Sequence, residues 1–233
     1  ASFFFSTDQR DDIKVLYLFC RFVDDLGDDK KLSKKVSKIK LTKIKKELLT
    51  RKSKNQIVHN FINLMSKYEI DHRIPNALID GILSDLSKVN IKDYNQLFCY
   101  SYKVAGTVGL MMCDIMGVKE NSLKFNAIYL GIAMQLTNIS RDVKEDLLRD
   151  RIYIPKEIRV HVKNDLNEIP LSDKLQREFS KDLKKLIDTS DIIYDLAWEG
   201  IIKLPLKYRF PIAIASFLYL SLIHISEPTR QIV

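Results

Sequence analysis

Glycine and proline are scarce in this chain, with 7 Gly and 6 Pro in 233 residues. That is too few for the turns of a many-stranded β fold and leaves room for long unbroken helices. With abundant Leu, Ile and Lys, the scarcity predicts an all-α fold. Cysteine is scarce too. Cys20, Cys99 and Cys113 lie in apolar periodic segments without CxxC spacing, which argues against a disulfide framework or a zinc site and reads as three buried thiols in a reducing cytoplasm. Long hydrophobic runs are also missing. Charge interrupts each apolar stretch before about 18 residues, so no segment reads as a membrane span, and no signal-peptide pattern opens the chain. His59, His72 and His161 lack metal-ligand spacing, and the single Trp198 is assigned to the core.

What is present is one domain's length of chain, enough to bury a core and enclose a cavity, with a formal net charge of +8. That charge is concentrated. Residues 30–54 hold eleven Lys, Arg51 and one Glu, a local net of +11, so the remainder sums to −3. Within the segment Leu32, Val36, Ile39, Ile44, Leu48 and Leu49 keep roughly helical spacing, so the lysines form the wet face of an amphipathic helix. Two readings of that face stand: a solvated surface, or peripheral contact with anionic membrane lipid. Nucleic acid is disfavoured because no aromatic stacking residues interleave with the lysines.

Apolar periodicity predicts helices over 9–27, 32–51, 55–69, 75–88, 94–117, 121–148, 172–201 and 206–220, joined by short polar loops. No repeat occurs at solenoid periods. The chain opens on Ala rather than Met, as a fragment would. At the other end Leu220 to Arg230, LSLIHISEPTR, resembles a translated sequencing-library adapter. Residues 1–219 are therefore read as one domain truncated at both ends, and 220–233, with His224, as a non-native tail.

Two acidic motifs of the same form stand 118 positions apart, Asp24-Asp-Leu-Gly-Asp28 and Asp142-Val-Lys-Glu-Asp146. Both are DxxxD. On a helix, residues four apart share a face, so each motif presents two carboxylates toward one point. Such pairs repel one another and call for a cation, and oxygen-only ligands suit a hard ion such as Mg²⁺ that shares its shell with substrate phosphates. A single DxxxD is common on surface helices. Here both follow apolar helical runs, Val15 to Cys20 and Leu130 to Leu136. Gln135, Asn138, Arg141, Asp142 and Asp146 recur at three- and four-residue steps, an amide- and charge-rich stripe on one helical face. Gly106 and Gly109 each cost a helix about 1 kcal/mol relative to Ala, which either close helix packing or room for a long ligand would offset.

Gln135-Leu-Thr-Asn-Ile-Ser-Arg-Asp-Val-Lys-Glu-Asp146, continuing to Arg149-Asp-Arg-Ile-Tyr-Ile-Pro155, resembles the second signature of the squalene/phytoene synthase family. Tyr17-Leu-Phe-Cys-Arg-Phe-Val-Asp-Asp-Leu-Gly-Asp28 resembles the first, and Tyr100-Ser-Tyr-Lys-Val-Ala-Gly-Thr-Val-Gly109 a third family segment. Gly81 and Asp85 fit a weaker pattern. The resemblance implies a single-domain isoprenoid synthase fold with a central cavity for two prenyl diphosphates. It assigns Mg²⁺ to Asp24, Asp28, Asp142 and Asp146, and diphosphate to Arg21 and Arg141. Cavity positions near the reacting groups are Tyr100, Gln135, Asn138 and Tyr219, with Val104 and Gly109 as further substrate-binding positions. Arg149 and Arg151 are candidate loop contributors.

The implied reaction is head-to-head condensation through a cyclopropylcarbinyl diphosphate. The likeness lies nearest to bacterial phytoene synthases, which implies two geranylgeranyl diphosphates as substrate. Squalene or dehydrosqualene formation from farnesyl diphosphate is the alternative. NADPH is required only for squalene, and the chain carries no glycine-rich dinucleotide fingerprint. By the family pattern, a Ser-Phe segment upstream of the first motif is expected to precede Ala1 and a basic segment to follow Tyr219. The intact aspartates argue against a non-catalytic assembly factor of the same fold, and the QLTNISRD stretch against a terpene cyclase or head-to-tail enzyme. The implied location is cytoplasmic, with or without membrane association.

Overall fold

The structure, a computed structural model, describes residues 5–29, 31–159 and 173–225. Of the sequence features singled out, His161 and residues 226–233 lie outside them. The chain runs α1 (Thr7–Asp28), α2 (Lys34–Thr50), α3 (Gln56–Lys67), α4 (Arg73–Ser84), β1 (Val89–Asn90) and α5 (Tyr94–Ser101). A π-helical turn (Tyr102–Gly106) then leads into α6 (Thr107–Met116), α7 (Asn121–Arg141), α8 (Val143–Leu147), β2 (Arg151–Ile152), α9 (Asp173–Ile201) and α10 (Leu206–Ile225). The all-α expectation holds.

Local chemistry sets the helix starts. Side-chain oxygens of Ser6, Ser33, Asn55 and Asp93 accept hydrogen bonds from backbone N–H groups in the first turns of α1, α2, α3 and α5, satisfying donors that a helix leaves unpaired. At the far end of α6, Gly117 adopts φ +74°, the left-handed closure that glycine permits without strain.

Two buried clusters flank the centre of the molecule. One joins α1 to α4 with α6 and is built around Phe19 and Phe61, whose rings stack with centroids 3.7 Å apart, together with Leu41, Leu48, Ile79 and Met111. The other joins α5, α7, α9 and the segment 152–158. There α7 and α9 lie close enough for the Thr137 and Tyr194 hydroxyls to hydrogen-bond at 3.0 Å and for Ser190 to donate to the Ala133 carbonyl at 3.2 Å.

Several sequence expectations change in detail. The helix foreseen over 121–148 breaks at Asp142, whose φ of −101° and ψ of 19° end α7 and begin α8. The helix over 94–117 contains the π turn at 102–106. A short parallel pair, Val89 with Arg151 and Asn90 with Ile152, was not foreseen. It is two residues long, too short for any alternation to register. On α2 the buried stripe is Ser37, Leu41, Ile44 and Leu48, whereas Val36, Ile39 and Leu49 are exposed. Of the cysteines only Cys113 is buried; Cys20 is half-buried and Cys99 exposed. Trp198 is not in the core but sits at the surface against Phe217, ring centroids 5.0 Å apart. Among the described residues no helix is long and apolar enough to cross a membrane.

Close approach of α7 to α6 and to the π turn explains Gly109 and Gly131. A Cβ at Gly131 would lie 2.6 Å from the Ala105 carbonyl oxygen, and one at Gly109 would collide with the Ala127 carbonyl. Both obstacles are backbone and cannot rotate away. Gly131→Ala is therefore expected to destabilise the protein by about 2 kcal/mol or more, read as a lowered urea midpoint with an unchanged m-value.

Candidate active site

Helix α1 buries Leu16, Phe19 and Val23, which turns Tyr17, Cys20, Arg21 and Asp24 toward a central cavity of about 260 Å³. Asp85 at the end of α4, Tyr100 on α5, Val104 in the π turn and Gln135 on α7 complete its wall. The cavity thus gathers residues from four separated stretches of chain. Arg21 lies along its own helix, 2.9 Å from Asp25 and 3.8 Å from Asp24.

Asp28 joins the two acidic motifs. Its carboxylate accepts from Arg149 Nη1 at 2.6 Å and from Arg151 Nη1 at 3.0 Å. Both arginines follow the second motif, so they draw its segment against the end of α1. Within the second motif Asp142 is held by the guanidinium of its neighbour Arg141 through two bonds of 2.6 Å. The helix break does not abolish the one-turn spacing of the pair, since Asp146 N–H still donates to the Asp142 carbonyl at 3.0 Å.

Asp146 differs from the other three motif aspartates. Its carboxyl group makes no hydrogen bond or ion pair among the described residues. Burial first and the neighbouring Asp142 second push its carboxyl up to about 7, against the pull of Arg151. Asp24 is raised as well, by burial first and then by Asp28, with Arg21 opposing. More than half of the Asp24 side chain is accessible, so water screens much of that effect.

Among the described residues no three His, Cys, Asp or Glu side chains converge on one point, so there is no closed protein cage for a metal. The donors nevertheless fit a hard divalent cation. They are carboxylate oxygens, one, that of Asp146, is half-buried without a direct ion-pair partner, and Mg²⁺ usually binds through one or two carboxylates with its remaining positions filled by water and phosphate oxygen.

Behind the motifs, the Asp85 carboxylate accepts the Tyr153 hydroxyl at 2.7 Å and the Tyr100 hydroxyl at 2.9 Å, while its backbone carbonyl accepts Arg151 Nε at 3.2 Å. Burial pushes Asp85 up to about 6 despite these partners. Sequence reasoning gave Asp85 no role and did not single out Tyr153. Asp85 stands alone at the end of an apolar helix and Tyr153 in a short extended segment, so neither belongs to a motif with chemical spacing. The parallel β pair brings them together.

A second, larger cavity of about 520 Å³ lies deeper, within the usual range for a small-molecule site. It is lined mostly by apolar side chains of α6, α7, α9 and α10, among them Met112, Leu130 and Met134. Val104, Val108 and Gln135 line both cavities, so the polar mouth and the apolar chamber share a wall. Asn138 and Tyr219 reach the deeper chamber. Gln135 and Asn138 are 3.4 Å apart through their amides, and Asn138 Oδ1 is buried without a partner among the described residues. Gly109 both packs α6 on α7 and lines this chamber, whereas Gly106 meets Tyr102 and Ile128. Of the sequence-derived candidates, Val104, Gly109, Gln135, Asn138 and Tyr219 border the chamber. Arg21, Asp24 and Tyr100 border the mouth. The remaining candidates line neither cavity: Asp28 is ion-paired with Arg149 and Arg151, Asp142 with Arg141, and Asp146 lies near Asp142 and Arg151.

A family model described as squalene/phytoene synthase matches residues 1–224. Among curated relatives, phytoene synthase 1 of Zea mays is 30% identical over 227 residues, covering 91% of this chain and 53% of the relative. The 15-cis-phytoene synthase of Enterobacter agglomerans is 30% identical, covering 94% and 77%. The chain thus spans about half the length of several plant relatives, the Zea mays protein among them. Among solved structures, squalene synthase HpnC from Alicyclobacillus acidocaldarius superposes with a TM-score of 0.82 at 18% identity, covering 96% of this chain and 85% of the other. A dehydrosqualene synthase in complex with ligand gives 0.78 at 24% identity, covering 95% and 78%. At those identities the superpositions establish the fold.

The raised carboxyls fix the sign of a pH effect. A carboxyl whose folded pKa exceeds its unfolded value of 3.8 keeps its proton longer in the native state, so ionisation removes stability as pH rises from the unfolded to the folded value. Without divalent metal, Asp146→Asn is expected to gain stability on the wild type between about pH 5 and about pH 7.5, by on the order of 1 kcal/mol. Thermal unfolding of both proteins across that range measures it. A difference that does not grow with pH would contradict the unpaired state of Asp146.

Proposed function

Because the chain belongs to the squalene/phytoene synthase family, we propose that it joins two prenyl diphosphates head to head, with two geranylgeranyl diphosphates giving phytoene. The observation that carries this reading is the shared wall of Val104, Val108 and Gln135 between a mouth that bears Arg21, Asp24 and Asp85 and an apolar chamber. A molecule with an anionic head and a long hydrocarbon tail matches both halves at once. The named relatives that are phytoene synthases favour the C20 substrate. The alternative is farnesyl diphosphate, converted to dehydrosqualene, or to squalene with NADPH.

In this reading Arg21, Arg141, Arg149 and Arg151 bind the diphosphate, each guanidinium exchanging a carboxylate partner for phosphate oxygens of similar geometry. Asp24, Asp28, Asp142 and Asp146 hold Mg²⁺, which when bound supplies charge neutralisation for the departing pyrophosphate. The first chain ionises at its allylic carbon, breaking the C–O bond and releasing pyrophosphate; the double bond of the second chain attacks the resulting cation, and loss of a proton from C1 of the second chain closes the ring to a cyclopropylcarbinyl diphosphate. A second ionisation leads by rearrangement to the 1-1′ linkage, and loss of a proton forms the final double bond. Met112, Leu130 and Met134 exclude water that would quench either cation. Gln135, Asn138 and Tyr219 orient the chains at the wall between mouth and chamber.

Incubation with geranylgeranyl and farnesyl diphosphates and Mg²⁺, with and without NADPH, followed by identification of the hydrocarbon, tests the assignment. Phytoene from the C20 substrate without NADPH is the expected result. Hydrocarbon from neither substrate would overturn it. Asp142→Asn is expected to lower kcat by about 100-fold or more at unchanged helicity by circular dichroism.

The proposal extends to an anionic lipid surface as the place of work. Lys35, Ile39, Lys43, Lys46 and Leu49 form an exposed stripe on α2, with Ile39 59% and Leu49 60% accessible, a mixture that suits the headgroup boundary. Each lysine near such a surface contributes about 1 kcal/mol. Reversing Lys35, Lys43 and Lys46 to Glu is expected to weaken co-sedimentation with phosphatidylglycerol vesicles by at least about tenfold. Equal binding of the wild type to neutral phosphatidylcholine vesicles would argue against this surface.

A further inference from the structure

Asp85 is the acceptor for two phenols at once. Tyr153 donates to Oδ1 and Tyr100 to Oδ2, and the two rings stack with centroids 4.7 Å apart at 24°. A phenol has a single O–H and an ionised carboxylate has no donor at all. Each tyrosine therefore spends its only proton on Asp85. The carboxylate is itself anchored, because the Asp85 carbonyl accepts from Arg151 Nε, and Arg151 in turn grips Asp28. Asp85 and Tyr100 both line the 260 Å³ mouth with Asp24 and Gln135; Tyr153 is buried behind them.

We propose that Asp85 is a positioning residue for Tyr100, turning the phenol so that its oxygen lone pair, and not its O–H, faces the reaction cavity; this rests on the head-to-head reading above. The consequence is a division of labour among the polar groups of the mouth. Guanidinium groups supply the donors that an anionic leaving group needs. The Tyr100 oxygen, with no proton left to give, repels an anion and favours positive charge developing on carbon, a fixed dipole aimed at the cation. Without Asp85 the phenol is free to donate to diphosphate, which stabilises the ground state and misdirects the dipole.

Substitutions at Asp85 separate these possibilities by counting acceptors. Asn offers one carbonyl oxygen and an amide donor, so only one of the two phenols keeps its orientation. Glu keeps both acceptor oxygens. Steady-state kinetics with geranylgeranyl diphosphate and Mg²⁺ are expected to give, for Asp85→Asn, a kcat lowered by about 30-fold or more with KM within about threefold. Asp85→Glu should recover at least about a tenth of wild-type kcat. Tyr100→Phe should cost a similar factor, and the double variant Asp85→Asn/Tyr100→Phe should be no worse than the poorer single one, since both remove the same oriented dipole. Losses that multiply, or a raised KM at unchanged kcat, would overturn the proposal.

A second arm does not depend on turnover. Calorimetric titration of inorganic pyrophosphate with Mg²⁺ is expected to give the same affinity for wild type and Tyr100→Phe within about twofold; a loss of about fivefold or more means that the phenol donates to the anion and the proposal fails. If the wild type forms no hydrocarbon from either prenyl diphosphate, the functional assignment fails, while the pyrophosphate titration still decides the orientation of Tyr100.

Discussion

Asp28 sits at the last turn of α1 and accepts hydrogen bonds from Arg149 and Arg151, side chains 121 and 123 positions further along the chain. That contact closes the molecule around its cavity. Through it the segment after α8 is held against the end of α1, Arg151 is brought within reach of the Asp85 carbonyl, and β2 is set in register beside β1. The electrostatic reason is direct. Two DxxxD motifs approach one region, and without guanidinium groups between them their carboxylates would repel. Asp28 and Asp142 are compensated by arginines, whereas Asp146 has no such partner among the described residues and holds its proton to about 7.

Under the proposed function this pairing is suited to exchange. Arginine–carboxylate and arginine–phosphate pairs have the same forked geometry, so a diphosphate with its divalent cation would take over both sides of each pair, its oxygens on the guanidinium groups and the cation on the carboxylates. The charges would be re-partnered without being created or moved far. Behind them the apolar walls of the deeper chamber provide the opposite environment, and Gln135, which lines both cavities, marks the boundary. The close contact of α7 with α6 at Gly109 and with the π turn at Gly131 keeps that wall thin, because a side chain at either glycine would collide with backbone.

Much of the fold was legible because helices declare themselves locally. The lack of Gly and Pro, the capping residues Ser6, Ser33, Asn55 and Asp93, and the three-to-four spacing of apolar residues are properties of single elements. So is the common face of Gln135 and Asn138, both of which border the deeper chamber. On α2 the local signal misled. Val36, Ile39 and Leu49 have the hydrophobicity of core residues but lie outside the buried stripe, and the lysine-rich surroundings obscured the choice between two nearly equivalent faces. The break at Asp142 was hidden for a related reason: the residues on either side of it are compatible with helix, and the interruption comes from the junction between α7 and the turn that carries Arg149 and Arg151.

The sequence by itself determined the helical class, the spacing of the paired carboxylates, and a donor set of oxygens and guanidinium groups suited to an anionic, metal-bearing ligand. These follow from the pitch of a helix and the chemistry of side chains one turn apart. Tertiary structure alone decided that Asp28 meets two arginines, that Asp85 accepts hydrogen bonds from Tyr100 and Tyr153, and which apolar residues line a cavity instead of a core. Such contacts join residues up to 123 positions apart, and no period within a segment encodes which face of one helix will meet the end of another. They arise when packing brings the elements together and buried charges have to find partners.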